Sequence, residues 1–375
     1  MPPFLPGQRL SALLYHQAVA PILAREASAL PHAAALVGTG SDVLGFDTER
    51  STDHHWGPRL TLLLAEADLP SAGPRIDAAL RQHLPHAIDG FPTNFGPPDA
   101  IGVRLASPST HGPVVHLIEI TSVAAFARDR LGLAADGAAE PLDWLLCPEQ
   151  SLLEVTAGVV FHDDLGKLTR LRQTLAYYPP DLWRYLMAAQ WQRIAQQEAF
   201  VGRCGEVGDD LGSRLIAAAL VRDLMRLCFL FDRRYAPYPK WLGSAFTALP
   251  TAPHLQPALT ATLAAADWRE RERWLVAAAS TAAHRHNALA ITPPLDPAPR
   301  PFHDRPFQII AAERFARAIQ ATIADPLIQR LPVDLGGIDQ WVDSTEVLTR
   351  TARRRRLAAI YAAATPPPAT PDSRP

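Results

Sequence analysis

Residues 36–64 read LVGTGSDVLGFDTERSTDHHWGPRLTLLL, and the order of features in them decides the fold. The apolar run Ala34 to Val37 leads into Gly38-Thr39-Gly40-Ser41, and a second apolar run closes the stretch at Leu60 to Leu64. Between them stands Asp53, read as the start of the second strand. A Gly-rich turn after a strand offers backbone N–H groups and a hydroxyl that can cradle phosphate, which assigns Gly40 and Ser41 to nucleotide binding. A carboxylate on the neighbouring strand can hold the divalent cation that bridges a triphosphate. Taken alone, the same turn is an ordinary β-turn before a helix or strand cap.

Working outward, Asp53 and His55 occupy alternate positions of that strand, so both side chains are expected on one side. Both are candidate metal ligands, although a His nitrogen suits Mg²⁺ less well than a carboxylate. Pro58 limits regular pairing nearby. His54 and His55 also read as structural hydrogen-bonding residues. A third ligand comes from VVHLIEIT, where Glu119 is a charge inside a β-rich apolar run, costly unless paired or metal-bound. Its alternative is a solvated position on an edge strand, with His116 on the opposite face. If Asp53 and Glu119 converge, they hold the metal, and one of them takes the proton from an attacking hydroxyl.

Composition sets the frame. The chain has 375 residues, 48% of them hydrophobic, with a net charge of −2. That length suits two domains or one elaborated domain. The charge argues against a general nucleic-acid binder. No apolar run is long enough to span a bilayer, and no secretory signal is read at the N-terminus. Cys147, Cys204 and Cys228 lack metal-ligand spacing, which together with the rest predicts a reduced, cytoplasmic protein. Nearly all basic residues are Arg; Lys stands only at Lys167 and Lys240.

The pattern predicts a helix over 10–29 that Pro21 breaks or kinks, a helix near 72–84, and a Pro/Gly-rich loop over 87–99. Two further strands are predicted at Ile101 to Ala106 and Val114 to Thr121, completing a mixed α/β unit. From about Leu142 the pattern is helical throughout. Trp183, Leu186, Met187, Trp191 and Ile194 share one face of a helix over 181–199, behind a first-turn acid, Asp181. A second long helix over 209–235 carries Arg214, Arg222, Arg226 and Arg233 within about a third of its circumference. That row is either a triphosphate-binding face or a solvated one. Further helices are predicted near 256–266, 268–289 and 307–323. In FHDDLGKLTRLR (161–172), the acids read mainly as caps of a helix start. In YAPYPKWLGSAF (235–246), Tyr238 offers a stacking ring and Lys240 an ammonium for phosphate, or the segment is an aromatic interhelical turn.

These motifs carry a resemblance. The stretch GTGSDVLGFDTERSTDHHWGPRLTLLL, the run from GVVFHDDLGKLTRLR to GEVGDD, the run LGSRLIAAALVRDLMRLCFLFDRRYAPYPKWLGSAF, and IDQWVDSTEVL are similar to a bacterial nucleotidyltransferase-like family known as domain of unknown function 4037. The resemblance implies an α+β chain: a nucleotidyltransferase-fold mixed sheet followed by a larger all-helical domain. Its expected limits are an α/β domain over 1–138, a helical domain over 139–360, and a disordered Pro-rich tail over 361–375. It implies phosphate contacts at Gly40 and Ser41 and metal binding at Asp53, while His55 replaces the family's second carboxylate. The expected function is transfer of NMP from a Mg²⁺-bound NTP, ATP first among them, to a hydroxyl on a small molecule. The helical domain would form the acceptor side. The alternative is an inactive nucleotide-binding regulator or an antitoxin-like partner protein. Neither a membrane nor a nucleic-acid partner is expected, and the oligomeric state is left open.

Overall fold

A computed structural model describes residues 2–53, 55–100, 102–133 and 139–363, without the side chains of Asp53, Ala362 and Ala363. Its contacts divide the chain into a sheet unit (1–139 and 151–176) and a helical unit (140–150 and 177–375).

The sheet unit begins with α1 (Gly7–Leu14) and α2 (Ala20–Glu26), joined by a π turn over Tyr15–Val19. Pro21 cannot donate to Gln17 and its ring crowds that carbonyl, and the wider turn absorbs the misfit. β1 (His32–Leu36) follows, then α3 (Ser41–Leu44) and β2 (Arg59–Leu64). α4 (Leu69–His83), the short hairpin β3 (Ala87–Ile88) and β4 (Phe91–Pro92), β5 (Leu117–Ser122) and α5 (Val123–Leu131) come next. After α6 (Pro141–Leu145) and α7 (Glu149–Thr156), the chain adds β6 (Val159–Asp163) and α8 (Lys167–Thr174).

The four long strands form one mixed sheet in the order β5-β2-β1-β6. β1 is antiparallel to β2 and β6, and β2 is parallel to β5. The two central strands are buried nearly throughout, which suits the small row HAAAL and the apolar run RLTLLL. Leu60, Leu62, Leu64, Ala34 and Ile118 face a core shared with α1, α2 and α4. The opposite face carries Arg59, Thr61 and, through parallel pairing with Thr61, Glu119.

Several expectations change here. The strand does not open at Asp53: Glu49–Asp53 is a 3-10 turn, and pairing begins at Arg59, beyond the positive-φ Gly57 and the donorless Pro58. Asp53 and His55 therefore do not alternate along a strand. The predicted strand from Ile101 reduces to a single bridge between Ala106 and Phe95, with Ile101 itself outside the described residues. The region after Leu142 is not purely helical, because β6 supplies the fourth strand. Residues 364–375, most of the expected tail, lie outside the description.

The helical unit contains α6, then α9 (Pro180–Gln197), α10 (Phe200–Glu206), α11 (Asp210–Phe231), α12 (Pro239–Thr247), α13 (Ala252–Ala264) and α14 (Trp268–Ala288). α9 buries Trp183, Leu186, Met187, Trp191 and Ile194 as the spacing predicts. Asp209 and Asp267 cap α11 and α14 through backbone N–H groups. A two-stranded ribbon of β7 (Arg300–Pro301) and β8 (Gln308–Ile309) occupies the start of the predicted helix over 307–323, leaving α15 (Glu313–Gln320). No helix among the described residues is long and apolar enough to cross a membrane.

Candidate functional site

The Gly turn is built by what lies around it. Gly38 (φ +94°) and Gly40 (φ +141°) both take backbone conformations that favour glycine. A Cβ on Gly40 would collide with the Asp42 carboxylate and the Arg59 guanidinium. Asp42 is only 2% exposed. Arg59, the first residue of β2, holds it with a two-pronged grip: Nε donates to Oδ2 at 2.9 Å and Nη2 to Oδ1 at 2.6 Å. The same Nη2 donates to the Thr39 carbonyl at 2.7 Å. On the other side, the Gly38 N–H donates to the Glu154 carbonyl of α7 at 2.6 Å.

β5 brings Glu119 to this end of the sheet, where β1 finishes and β2 and β5 begin. β5 is an edge strand, so Glu119 escapes the burial its apolar neighbours suggested; its side chain is 48% exposed. Arg130 of α5 places Nη2 at 3.4 Å from Glu119 Oε2. The same guanidinium lies 3.5 Å from the point a Cβ on Gly38 would occupy. Turn, Asp42, Arg59, Glu119 and Arg130 thus form one cluster of two guanidinium–carboxylate pairs beside the turn backbone, with the Arg59–Asp42 pair turned to holding the turn and the Arg130–Glu119 pair on its more open side. Chemically it suits an anion with several oxygens, and Glu119 adds a hard oxygen donor for a cation.

The remaining expected residues are placed as follows. Ser41 opens α3 directly after the turn. The Asp53 side chain and His54 lie outside the described residues. His55 takes a positive φ of 46° and sets Nε2 3.0 Å from the Gly102 carbonyl oxygen, so it faces a backbone acceptor. The expected Arg face of α11 is not one surface. Arg214 pairs with Asp210 and Arg222 with Asp343; Arg233 lies past the helix end, over the Trp183 ring. Arg226 is turned inward, its side chain 13% exposed, with Nη1 3.9 Å from Glu149 Oε1. Burial raises the acid constants of Glu149 and Asp339 beside it, and the Arg226 charge acts against that rise. That placement removes it from the surface cations expected to grip nucleotide. Tyr238 is the N-cap residue of α12, and exposed Lys240 sits over the Trp241 ring at 5.0 Å.

Sequence reasoning missed Arg59, Asp42 and Arg130. Arg59 and Asp42 lie inside the quoted stretch, and a lone Arg heading an apolar strand was the available signal. Arg130 had none, being one of two Arg in a helix whose direction only the fold sets.

Residues 144–242 match the model of the family described as "Domain of unknown function (DUF4037)". The matched segment runs from α6 through β6 and α9 to α12, and so contains Glu149, His162, Arg226, Tyr238 and Lys240. Among solved structures, a nucleotidyltransferase-like protein from Exiguobacterium sibiricum 255-15 aligns over 82% of this chain and 88% of its own, with 11% identity and a TM-score of 0.32. No curated protein matches the chain.

Proposed function

We propose that the sheet unit binds a nucleoside triphosphate by its phosphates and transfers NMP to a hydroxyl on a small molecule. One observation carries the reading: the Gly38–Ser41 turn, Arg59, Glu119 and Arg130 share one face and one end of the sheet. Phosphate oxygens accept from the open backbone of the turn and from Arg130, which pairs with them in place of Glu119. Arg59 holds the turn in shape. Glu119, freed from Arg130, accepts a proton from the attacking hydroxyl or serves as a metal ligand.

Mg²⁺ takes oxygen donors, so Glu119 fits it and the carboxylate of Asp53 is the second donor by chemistry. His55 does not fit, since its ring nitrogen meets the Gly102 carbonyl instead. Held by these carboxylates, Mg²⁺ would supply positive charge to offset that of the phosphates. ATP is the first donor to test.

The same His55 supports a second reading, in which the site binds nucleotide as a regulator without turning it over. Pyrophosphate release separates the two. The chain is incubated with each NTP, Mg²⁺ and a panel of small polyhydroxylated acceptors. Release with one NTP, lost in Glu119→Gln, supports transfer. Nucleotide binding without release across the panel supports the regulator.

A further inference from the structure

At the opposite end of β1, about 20 Å along the strand from the Gly turn at ~3.3 Å per residue, a second cluster lies outside the site proposed for the nucleotide. His32 heads β1, His162 lies on β6, and Asp164 follows β6 directly. One ligand atom from each lies within 4.8 Å of the others. The register explains the meeting. Ala33 pairs with Asp163 and Ala34 with His162, and the Asp164 N–H donates to the His32 carbonyl at 3.0 Å. Alternation then puts all three side chains on one face. A bulge on β6 beside Ala34/Ala35 leaves Phe161 as the extra residue, and bulges of this kind re-aim the side chains next to them.

We propose that His32, His162 and Asp164 bind a divalent transition metal of the Zn²⁺ class.

Two imidazoles and one carboxylate are a donor set that such ions accept and Mg²⁺ does not favour. The spacing is right. His162 Nε2 stands 2.7 Å and His32 Nδ1 3.9 Å from Asp164 Oδ2, on either side of the roughly 3.4 Å between tetrahedral ligands at about 2.1 Å. Without an ion, His162 Nε2 and Asp164 Oδ2 pair with each other at 2.7 Å, so the two donors already point at one spot. His32 is oriented from behind: its Nε2 meets the Tyr15 hydroxyl at 3.0 Å, the outer-shell contact that fixes the ring of a metal-bound His. Without an ion, Nδ1–H donates to the Leu30 carbonyl at 3.3 Å and the Tyr15 hydroxyl donates to Nε2; a bound ion would take the place of the Nδ1 proton, with Nε2–H then donating to Tyr15. The neighbouring Asp163 is occupied elsewhere, accepting from the backbone and hydroxyl of Thr169. A bound ion would add a side-chain cross-link between β1 and the edge strand β6, which otherwise pair through their backbones.

The test uses the full chain, stripped by chelation and titrated at about pH 7.5, above the His range, with Co²⁺ followed by visible absorption and with Zn²⁺ followed by calorimetry. The expected result is one equivalent of each, a four- or five-coordinate Co²⁺ spectrum, and displacement of Co²⁺ by Zn²⁺. His162→Gln and Asp164→Asn, at partly exposed positions, should each weaken binding by more than the roughly 100-fold that loss of an outer-shell partner costs. No stoichiometric binding would overturn the proposal, as would undiminished affinity in both variants. A wild-type Co²⁺ spectrum typical of six oxygen ligands would overturn it too, and that readout does not depend on how the variants fold. Nucleotide is absent throughout, so the result stands apart from the transferase reading.

Discussion

Arg59 holds both carboxylate oxygens of Asp42 while its Nη2 also reaches the Thr39 carbonyl, so one guanidinium ties β2 to the turn that ends β1. The pair is largely buried, and removing one partner leaves a charge without compensation. Arg59→Ala should therefore cost about 3–5 kcal/mol. Arg59→Lys keeps the charge without the fork and should recover only part of that. Chemical denaturation of the three proteins measures it; equal stability of wild type and Arg59→Ala would contradict the account.

Arg130 and Glu119 test the site rather than the fold, since both lie at its open side. Arg130→Ala should weaken triphosphate binding by about 1.5–3 kcal/mol, the size of a hydrogen bond to a charged group. Glu119→Gln should leave metal-free binding intact and remove its enhancement by Mg²⁺. Titrations of both variants with and without the metal show whether the two roles separate.

Glu198, at the end of α9, makes the stability of the helical unit depend on pH. Its oxygens accept from the backbone N–H groups of Ile310 and Ala312, at 3.1 and 3.0 Å. Burial outweighs these bonds and pushes its acid constant up to about 7. The folded state thus holds a proton that the unfolded state releases near its ordinary value. Stability from this group is full at acid pH and falls as pH rises through about 7, by roughly 3 kcal/mol in all. Glu198→Gln should flatten that part of the profile, although its amide leaves one N–H poorly met. An unchanged slope in urea melts from acid to neutral pH would refute the assignment.

Trp191 anchors the same unit, fully buried and stacked on Phe315 with ring centroids 4.7 Å apart. Trp191→Ala should cost about 3–5 kcal/mol. A thermal melt close to that of the wild type would show that the surrounding helices collapse into the space.

How far the sequence carried the reading follows from local pattern. The Gly38–Ser41 turn, the run Leu60 to Leu64 and the face Trp183 to Ile194 were legible because each is set by residues a few positions apart. β6 was not. Its five residues are all half-buried, so they show no alternation, and their partner strand lies more than a hundred residues earlier. The same distance hid the meeting of His32 with His162 and Asp164. The spacing to Leu60 suits a strand through Asp53 and His55, yet Gly57 and Pro58 delay pairing to Arg59. Glu119 was weighed as a buried charge or an edge-strand residue, and only the strand order decides for the edge.

The most direct test of the central claim is calorimetric titration of the full chain with ATP, GTP, CTP and UTP, each with and without Mg²⁺. The account predicts binding of at least one nucleotide at a single site, tighter with Mg²⁺ and weakened by Arg130→Ala. Absence of binding for all four, or binding that Arg130→Ala leaves untouched, would contradict a triphosphate site at the Gly38–Ser41 turn.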